Sequence, residues 1–378
     1  MPPLEVQDKV LVKEEFLDTV HGRVACTSCH GGTEPAKDRA EAHVGLIPNP
    51  SAEEEPFCAT CHADQVEAFR KSLHYTNNGI VNLETGVLAP RVNPEKVDVL
   101  QVAVDNHCAS CHITTCGDCH VNRPEWSGGG FLAGHQFRKT PNPVLNCMAC
   151  HGSRVQKEML GQGPKDQFPD IVPDVHWAPL GMDCTACHTG EWFHSPSEEY
   201  ARRYDNKEAP RCEDCHAGAP EFAKVTAHQM HAMETSSTLL QCQVCHAQPY
   251  NNCAGCHVGK DDKGLPYFKT DRSWFDFKIG RNPDKSEDRP YDYVVVRHVP
   301  VARDTFAFYG EDLLSNYDAE PTFKYATPHT IVRVAPQAES CGSCHNNAEL
   351  FLTEEDVPED EREANREVIV DRLPPAMP

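Results

Sequence analysis

The cysteines of this chain occur only in pairs, and every pair has the same spacing. All 20 cysteines of the 378 residues fall into ten Cys-x-x-Cys pairs, and a histidine follows the second cysteine of each pair. The cysteines are Cys26, Cys29, Cys58, Cys61, Cys108, Cys111, Cys116, Cys119, Cys147, Cys150, Cys184, Cys187, Cys212, Cys215, Cys242, Cys245, Cys253, Cys256, Cys341 and Cys344. The adjacent histidines are His30, His62, His112, His120, His151, His188, His216, His246, His257 and His345. This strict combination of two thiols and an imidazole indicates a binding site repeated ten times.

Cys-x-x-Cys-His is the attachment motif of c-type haem. The two thiols bond the porphyrin, and the imidazole can bind the iron from the same side. Zinc ribbons use Cys-x-x-Cys pairs but do not require a histidine after each one. A disulfide framework is typical of much shorter chains, and the four-cysteine run of iron–sulfur ferredoxins is absent. The motifs therefore predict ten covalently bound haem c groups with their irons, and no catalytic residue is assigned.

Eleven histidines lie outside the motifs and are candidates for the second axial ligand of each iron. They are His21, His43, His74, His107, His135, His176, His194, His228, His231, His298 and His329. Ten irons need at most ten such ligands, and most of these histidines lie a short distance upstream of a motif. Methionine is the competing ligand, but the seven methionines share no offset from the motifs. We expect bis-histidine, six-coordinate, low-spin irons, with the eleventh histidine either on the surface or binding a haem of a neighbouring subunit.

The elements that must hold these ligands are predicted to be short. Ten haems leave about 38 residues for each one, too few for ordinary domains. The 30 prolines and 23 glycines are scattered between the motifs and fit turns and loops. The predicted fold class is a multihaem cytochrome c: mostly irregular loops with short α-helices wrapped around a haem chain, and little β structure.

The spacing of the motifs predicts three regions. Residues 1–257 carry nine motifs and form the haem-chain region. Residues 258–340 carry none and are predicted to be an accessory lobe containing strands, because the segment 291–301 (YDYVVVRHVPV) is rich in β-branched residues. Residues 341–378 contain the tenth motif and a highly charged tail, which is expected to be a solvated helix or arm, or else a subunit contact.

Charge and hydropathy limit the partners. A formal net charge of -22 argues against nucleic acid and anionic membrane surfaces. No apolar run is long enough for a membrane span, and the first residues lack the pattern of a secretion signal. Because c-type haem is attached outside the cytoplasm, we expect an extracellular or cell-surface protein, or otherwise a periplasmic one.

Several segments resemble known multihaem cytochromes. The HQMH step at 228–231 resembles the element that supplies two distal ligands in tetrahaem class III cytochromes, and CATCHADQVEAFRKSLH, ending at His74, resembles a stretch whose last histidine ligates a neighbouring haem. CASCHITTCGDCHVNRP, DVHWAPLGMDCTACHTGEWFH and CQVCHAQPYNNCAGCH are similar to extracytoplasmic multihaem cytochromes of metal- or mineral-respiring microbes. This resemblance implies an electron carrier that relays electrons to redox partner proteins or extracellular acceptors.

Two further functions are compatible with these motifs. Some extracellular cytochromes polymerise into conductive filaments with a histidine–haem bond between subunits, and the surplus histidine allows that arrangement here. The alternative is a multihaem oxidoreductase of the nitrite, hydroxylamine or tetrathionate type, which needs an open iron position. The Cys-x-x-Cys-Lys motif that commonly marks such a position in nitrite reductases is absent.

Overall fold

A computed structural model describes most of the chain as helices, loops and small antiparallel sheets. The described residues are 12–53, 56–79, 82–84, 86–108, 115–124, 129–194, 198–233, 235–253, 255–271 and 273–377. Cys111 and His112, two predicted ligands of the third motif, lie outside these ranges. The chain forms two compact units, the first from residues 1–86, 108–152 and 184–208, the second from 87–107, 153–183 and 209–378.

The helices are short, as predicted. The α-helices are Glu14–Leu17, Cys26–His30, Arg39–Ala42, Ala59–Arg70, Leu73–Thr76, Val97–His107, Gly117–His120, Met148–His151, Lys157–Met159, Cys184–Cys187, Gly190–Phe193, Cys212–His216, Thr226–His231, Cys242–His246 and Cys341–Cys344. Single turns of 3-10 helix span His21–Arg23, Ala89–Arg91, Pro94–Lys96, Phe222–Lys224, Pro336–Ala338, Ala348–Leu350, Glu354–Asp356 and Glu359–Glu361, and π-helical turns span Pro143–Cys147 and Gly152–Gln156.

The first unit has a small polypeptide core. Its buried apolar side chains, among the described residues, are Phe16, Val66, Ala68, Leu83, Val121, Met148 and Tyr200. The unit nevertheless carries the first six motifs. So few buried side chains cannot by themselves stabilise a body of this size, which fits the expectation that prosthetic groups fill its interior.

The second unit contains the strands. They are β1 (Tyr250–Asn251), β2 (Cys256–Lys260), β3 (Pro266–Thr270), β4 (Phe275–Asp276), β5 (Ile279–Arg281), β6 (Tyr293–His298) and β7 (Phe323–Tyr325). The pairs β1–β4 and β2–β3 and the three-stranded sheet β5–β6–β7 are all antiparallel. Strand β6 is buried along almost its whole length, as its run of valines predicts. The predicted strand at 291–301 is therefore confirmed, with narrower bounds.

A polypeptide core surrounds this sheet. It includes Val244, Tyr250, Ile279, Val295 and Phe351, all almost completely buried. The helix of the eighth motif thus packs on the sheet through Val244. Among the described residues, this unit has more buried apolar side chains than the first unit.

The charged tail is not a free arm. Val357, Val368 and Val370 are buried, and the Arg281 N–H donates to the Val368 carbonyl at 2.8 Å. The expectation of a solvated helix or arm is wrong, because valines spaced between the charged residues give the tail an apolar side that packs on the second unit. No helix within the described residues is long and apolar enough to cross a membrane.

Candidate haem sites

Helical turns position most of the motifs. Eight of the nine motifs that the structure describes in whole or in greater part lie in or at the start of a short α-helix, for example Cys26–His30, Cys212–His216 and Cys242–His246. Positions i, i+3 and i+4 share one face of a helix, so both thiols and the imidazole of a motif point to the same side. That arrangement can attach a planar group by two bonds and bind its metal with the third residue.

The ninth motif differs. Cys256 and His257 are the first two residues of strand β2, where successive side chains point to opposite faces. His257 Nε2 lies 3.3 Å from Asp271 Oδ2, and its Nδ1 lies 3.6 Å from Asp304 Oδ1. This motif is the exception to the helical turn.

Motif histidines lie close to histidines outside the motifs. Among the described residues, seven such pairs have ring centres 5.8 to 6.3 Å apart, and both members of each of these pairs belong to the same unit. The pairs are His30 with His135 (5.8 Å), His62 with His21 (6.2 Å), His120 with His194 (6.2 Å), His151 with His74 (6.3 Å), His216 with His176 (6.1 Å), His246 with His228 (6.1 Å) and His345 with His231 (6.2 Å).

This spacing is too large for ring stacking in contact and suits one metal ion between two imidazoles. An imidazole nitrogen binds a metal ion at about 2.0–2.1 Å, and adding the distance from that nitrogen to its ring centre on both sides gives roughly 6 Å between ring centres. The donor sets therefore fit the axial ligation of haem iron. When bound, haem would supply one-electron oxidation and reduction at its iron.

Hydrogen bonds on the other ring nitrogen set the tautomer. The Nδ1 atoms of His30, His120 and His345 donate to the carbonyl oxygens of Ile47 (2.9 Å), Arg138 (2.6 Å) and Pro375 (2.9 Å). His246 and His228 donate in the same way to Val332 (3.2 Å) and Phe222 (3.1 Å). A carbonyl can only accept, so the proton lies on Nδ1 and the Nε2 lone pair is left for a metal.

Burial also disfavours the protonated form of several of these imidazoles. Burial lowers the pKa of His21, and the neighbouring His62 lowers it further. The same two causes, burial and then the paired histidine, lower the pKa of His135 and His194. A neutral imidazole is the form that binds a metal ion, so these environments favour ligation at ordinary pH.

Thiols of different motifs come together as well. Cys212 Sγ, Cys242 Sγ and a Glu213 carboxylate oxygen lie within 4.8 Å of one another, a convergence of potential metal ligands that brings the seventh and eighth motifs into contact. In the first unit the Cys58 and Cys116 thiols share a hydrogen bond, which lowers the pKa of Cys58 and raises that of Cys116. None of the described cysteines forms a disulfide.

Five further predicted ligands are described by other contacts. His298 Nε2 lies 2.8 Å from Glu361 Oε2, and His107 Nε2 lies 2.7 Å from the Tyr309 hydroxyl. His43 is the C-cap of the helix Arg39–Ala42, and His329 donates its backbone N–H to Glu158 at 3.0 Å. The motif residue His188 packs against Trp192, with ring centres 4.8 Å apart. Ligation by these residues stays a prediction.

One supporting residue was missed from the sequence. Asp174 Oδ1 accepts from the backbone N–H of His176 at 2.8 Å and lies 3.1 Å from its Nδ1, while Oδ2 accepts from the Ile331 N–H at 2.8 Å. A carboxylate on the second nitrogen orients the ring and makes it a stronger ligand. The Asp-x-His spacing at 174–176 was the available signal, because an aspartate two residues earlier commonly caps the backbone in this way.

Comparison with known proteins agrees with this chemistry over part of the chain. Residues 13–113 match the model of the family described as cytochrome c7 and related cytochrome c. The match supports a multihaem c-type cytochrome. It covers the first three motifs, and proteins of that family are generally electron carriers. Searches among curated proteins and among solved structures found no match.

Proposed function

We propose that this cytochrome carries ten haems and relays electrons along them, with two histidines as the axial ligands of most irons. The single observation that carries the proposal is the set of seven imidazole pairs with ring centres about 6 Å apart. Two histidines keep the iron six-coordinate in both oxidation states, so little rearrangement accompanies electron transfer. An iron bound by two histidines has no open position, which a reductase needs, so these seven pairs favour the relay.

The polypeptide has three tasks in this proposal. The motif thiols would attach the haems, and the seven imidazole pairs would bind the irons of their motifs. Carbonyl oxygens such as those of Ile47 and Val332 fix the imidazole tautomer. Contacts between motifs, such as Cys212 with Cys242, support haems near enough for electrons to pass between them.

Haem count and spin state test the proposal. Intact mass spectrometry of protein made with a c-type haem attachment system is expected to give the 42.1 kDa chain plus ten haems. Electron paramagnetic resonance of the oxidised protein is expected to give mainly low-spin ferric signals. A chain of bare mass would overturn the haem proposal, and several high-spin irons that bind nitrite or carbon monoxide would favour the reductase.

The proposal also concerns where the protein acts and whether its subunits polymerise. Covalent haem attachment supports a site of action outside the cytoplasm, at the cell surface, in the medium or in the periplasm, where the partners would be redox proteins or extracellular electron acceptors. Polymerisation through a histidine–haem bond between subunits is supported only by the surplus of histidines. Fractionation of cells and negative-stain microscopy of the secreted material test these two points, and dispersed particles at every protein and salt concentration would rule out the filament.

A further inference from the structure

The last motif of the chain comes next to the eighth motif, not the ninth, in the second unit. Gln337, almost completely buried, donates from its side-chain nitrogen to the carbonyl oxygens of Ala247 at 2.8 Å and Val244 at 3.2 Å. Gln337 lies four residues before Cys341, so these two hydrogen bonds hold the segment that enters the tenth motif against the end of the helix Cys242–His246. The Val332 N–H also donates to the His246 carbonyl at 2.8 Å, which adds a third hydrogen bond between this segment and the helix.

The thiols agree with this arrangement. Cys245 and Cys344 pack against the same apolar cluster around Val244 and Phe351. The second cysteines of the eighth and tenth motifs therefore face the same part of the core.

One short helix serves both motifs. His228 and His231 lie three residues apart on the helix Thr226–His231, so they share one face one turn apart. The ring of His228 lies 6.1 Å from that of His246, and the ring of His231 lies 6.2 Å from that of His345. The carbonyls of Phe222 and Pro375 hold Nδ1 of His228 and His345 at 3.1 and 2.9 Å, which leaves their Nε2 atoms for a metal.

The ninth motif has a different environment. His257 lies on strand β2 and contacts the carboxylates of Asp271 and Asp304. The backbone N–H of Cys253 donates to the His298 carbonyl, and the Arg154 guanidinium lies 3.8 Å from the Cys253 sulfur. These contacts belong to the two-stranded β2–β3 hairpin and its surroundings, not to the helix that carries His228 and His231.

We propose that His231 is the second axial ligand of the tenth haem and His228 that of the eighth, so that one helix couples these two haems and the ninth haem lies to the side of their path. This inference rests on the proposed function, because it assumes haem at each motif. It assigns an electron route in the second unit that runs from the seventh motif to the eighth and then to the tenth. In this unit the electrons would therefore not pass the motifs in the order in which the motifs occur in the sequence.

The test removes one ligand and one haem at a time. His231→Ala is expected to convert one haem from low-spin to high-spin, with ten haems still present by mass. In a protein that lacks the tenth haem, Cys341→Ala/Cys344→Ala, adding His231→Ala is expected to create no further high-spin haem. In a protein that lacks the ninth haem, Cys253→Ala/Cys256→Ala, the same addition is expected to create one.

Two matched variants on the same helix complete the design. Met230→Ala changes an exposed side chain between the two histidines and is expected to create no additional high-spin haem. His228→Ala is expected to convert one haem, and that conversion should vanish only when Cys242 and Cys245 are replaced. A high-spin signal from His231→Ala that persists without the tenth haem, or that vanishes without the ninth, overturns the assignment.

A second combination covers the case in which a haem-deficient protein does not accumulate. His231→Ala and His345→Ala alter the same iron if the assignment is correct, so the double variant should have one altered haem, whereas His228→Ala with His345→Ala should have two. Two altered haems in the first double variant would overturn the assignment. A wild-type mass without ten haems would instead overturn the proposed function, so the two failures are distinguishable.

Discussion

The ring of His176 lies 6.1 Å from that of His216, although His176 is eight residues upstream of Cys184, the first cysteine of the preceding motif. His176 is thus paired with the histidine of the seventh motif, although the sixth motif is the nearer one in the sequence. Its orientation is set by Asp174, which contacts both the backbone nitrogen and Nδ1. The carboxylate is nearly buried, so its effect on the imidazole is weakly screened.

Asp174→Asn tests this support. Loss of the carboxylate should make His176 a weaker donor, which destabilises the ferric state and raises the reduction potential of one haem. A tenfold effect, within the range of supporting residues around metal sites, corresponds to about 59 mV for one electron. Redox titration measures it. Asp170→Asn, an exposed change in the same segment, is the control and should leave every potential unchanged; equal potentials for both variants would contradict the role of Asp174.

The sequence predicted which residue types could bind haem, but it did not predict which histidines lie close to each other. The motif repeat predicted the ligand types and the short helices, because a helical turn is what brings two thiols and an imidazole to one face. Proximity along the chain did not predict which histidines meet: His21 faces His62, and His135 faces His30. These contacts depend on how loops without a periodic pattern return to earlier segments, and no local signal encodes that return.

In the second unit, the sequence predicted a buried strand but did not predict how the tail packs. The valines of β6 predicted a buried strand, since β-branched residues favour extended backbone. The tail was predicted from its charge to be solvated, yet its scattered valines fill the core beside β5. Charge density describes the outer side of such a segment and does not reveal whether the remaining side chains find a partner.

A buried ion pair holds β6 against the helix Lys157–Met159. Arg297 and Glu158 are almost completely buried, with Nη2 and Oε1 2.5 Å apart. Burial raises the pKa of Glu158 and lowers that of Arg297, so each charge depends on the other. Glu158→Gln is therefore expected to destabilise the protein by about 3–5 kcal/mol, because it leaves a buried guanidinium without its counter-charge.

Denaturant unfolding of the haem-loaded protein measures this cost. The double variant Glu158→Gln/Arg297→Met removes both charges and should recover part of the lost free energy. A double variant less stable than Glu158→Gln alone would contradict the account of a pair in which each charge compensates the other.

At His298 the sequence and the structure predict different roles. As an iron ligand, its loss in His298→Gln would produce one high-spin haem, as we expect for His21→Ala. Its Nε2 instead contacts Glu361, whose Oε2 also accepts from the Thr322 hydroxyl. From this contact we expect His298→Gln to create no additional high-spin haem and to lower the free energy of unfolding by about 1–3 kcal/mol. Electron paramagnetic resonance of the two variants side by side decides between these outcomes.

Acid should weaken the attachment of the tail through Asp356. Burial raises the pKa of this carboxyl, but the hydrogen bonds from Lys278 (2.7 Å) and from Thr353 outweigh burial and leave the pKa below its ordinary value. A lowered folded-state pKa contributes stability that is complete above the unfolded value near 3.9 and is lost as pH falls through the folded value. Lys278→Met removes part of that contribution and is expected to cost about 1 kcal/mol at neutral pH. The difference in unfolding free energy between wild type and Lys278→Met should then shrink below about pH 4, and a difference that stays constant down to acid would show that the pair does not stabilise the tail electrostatically.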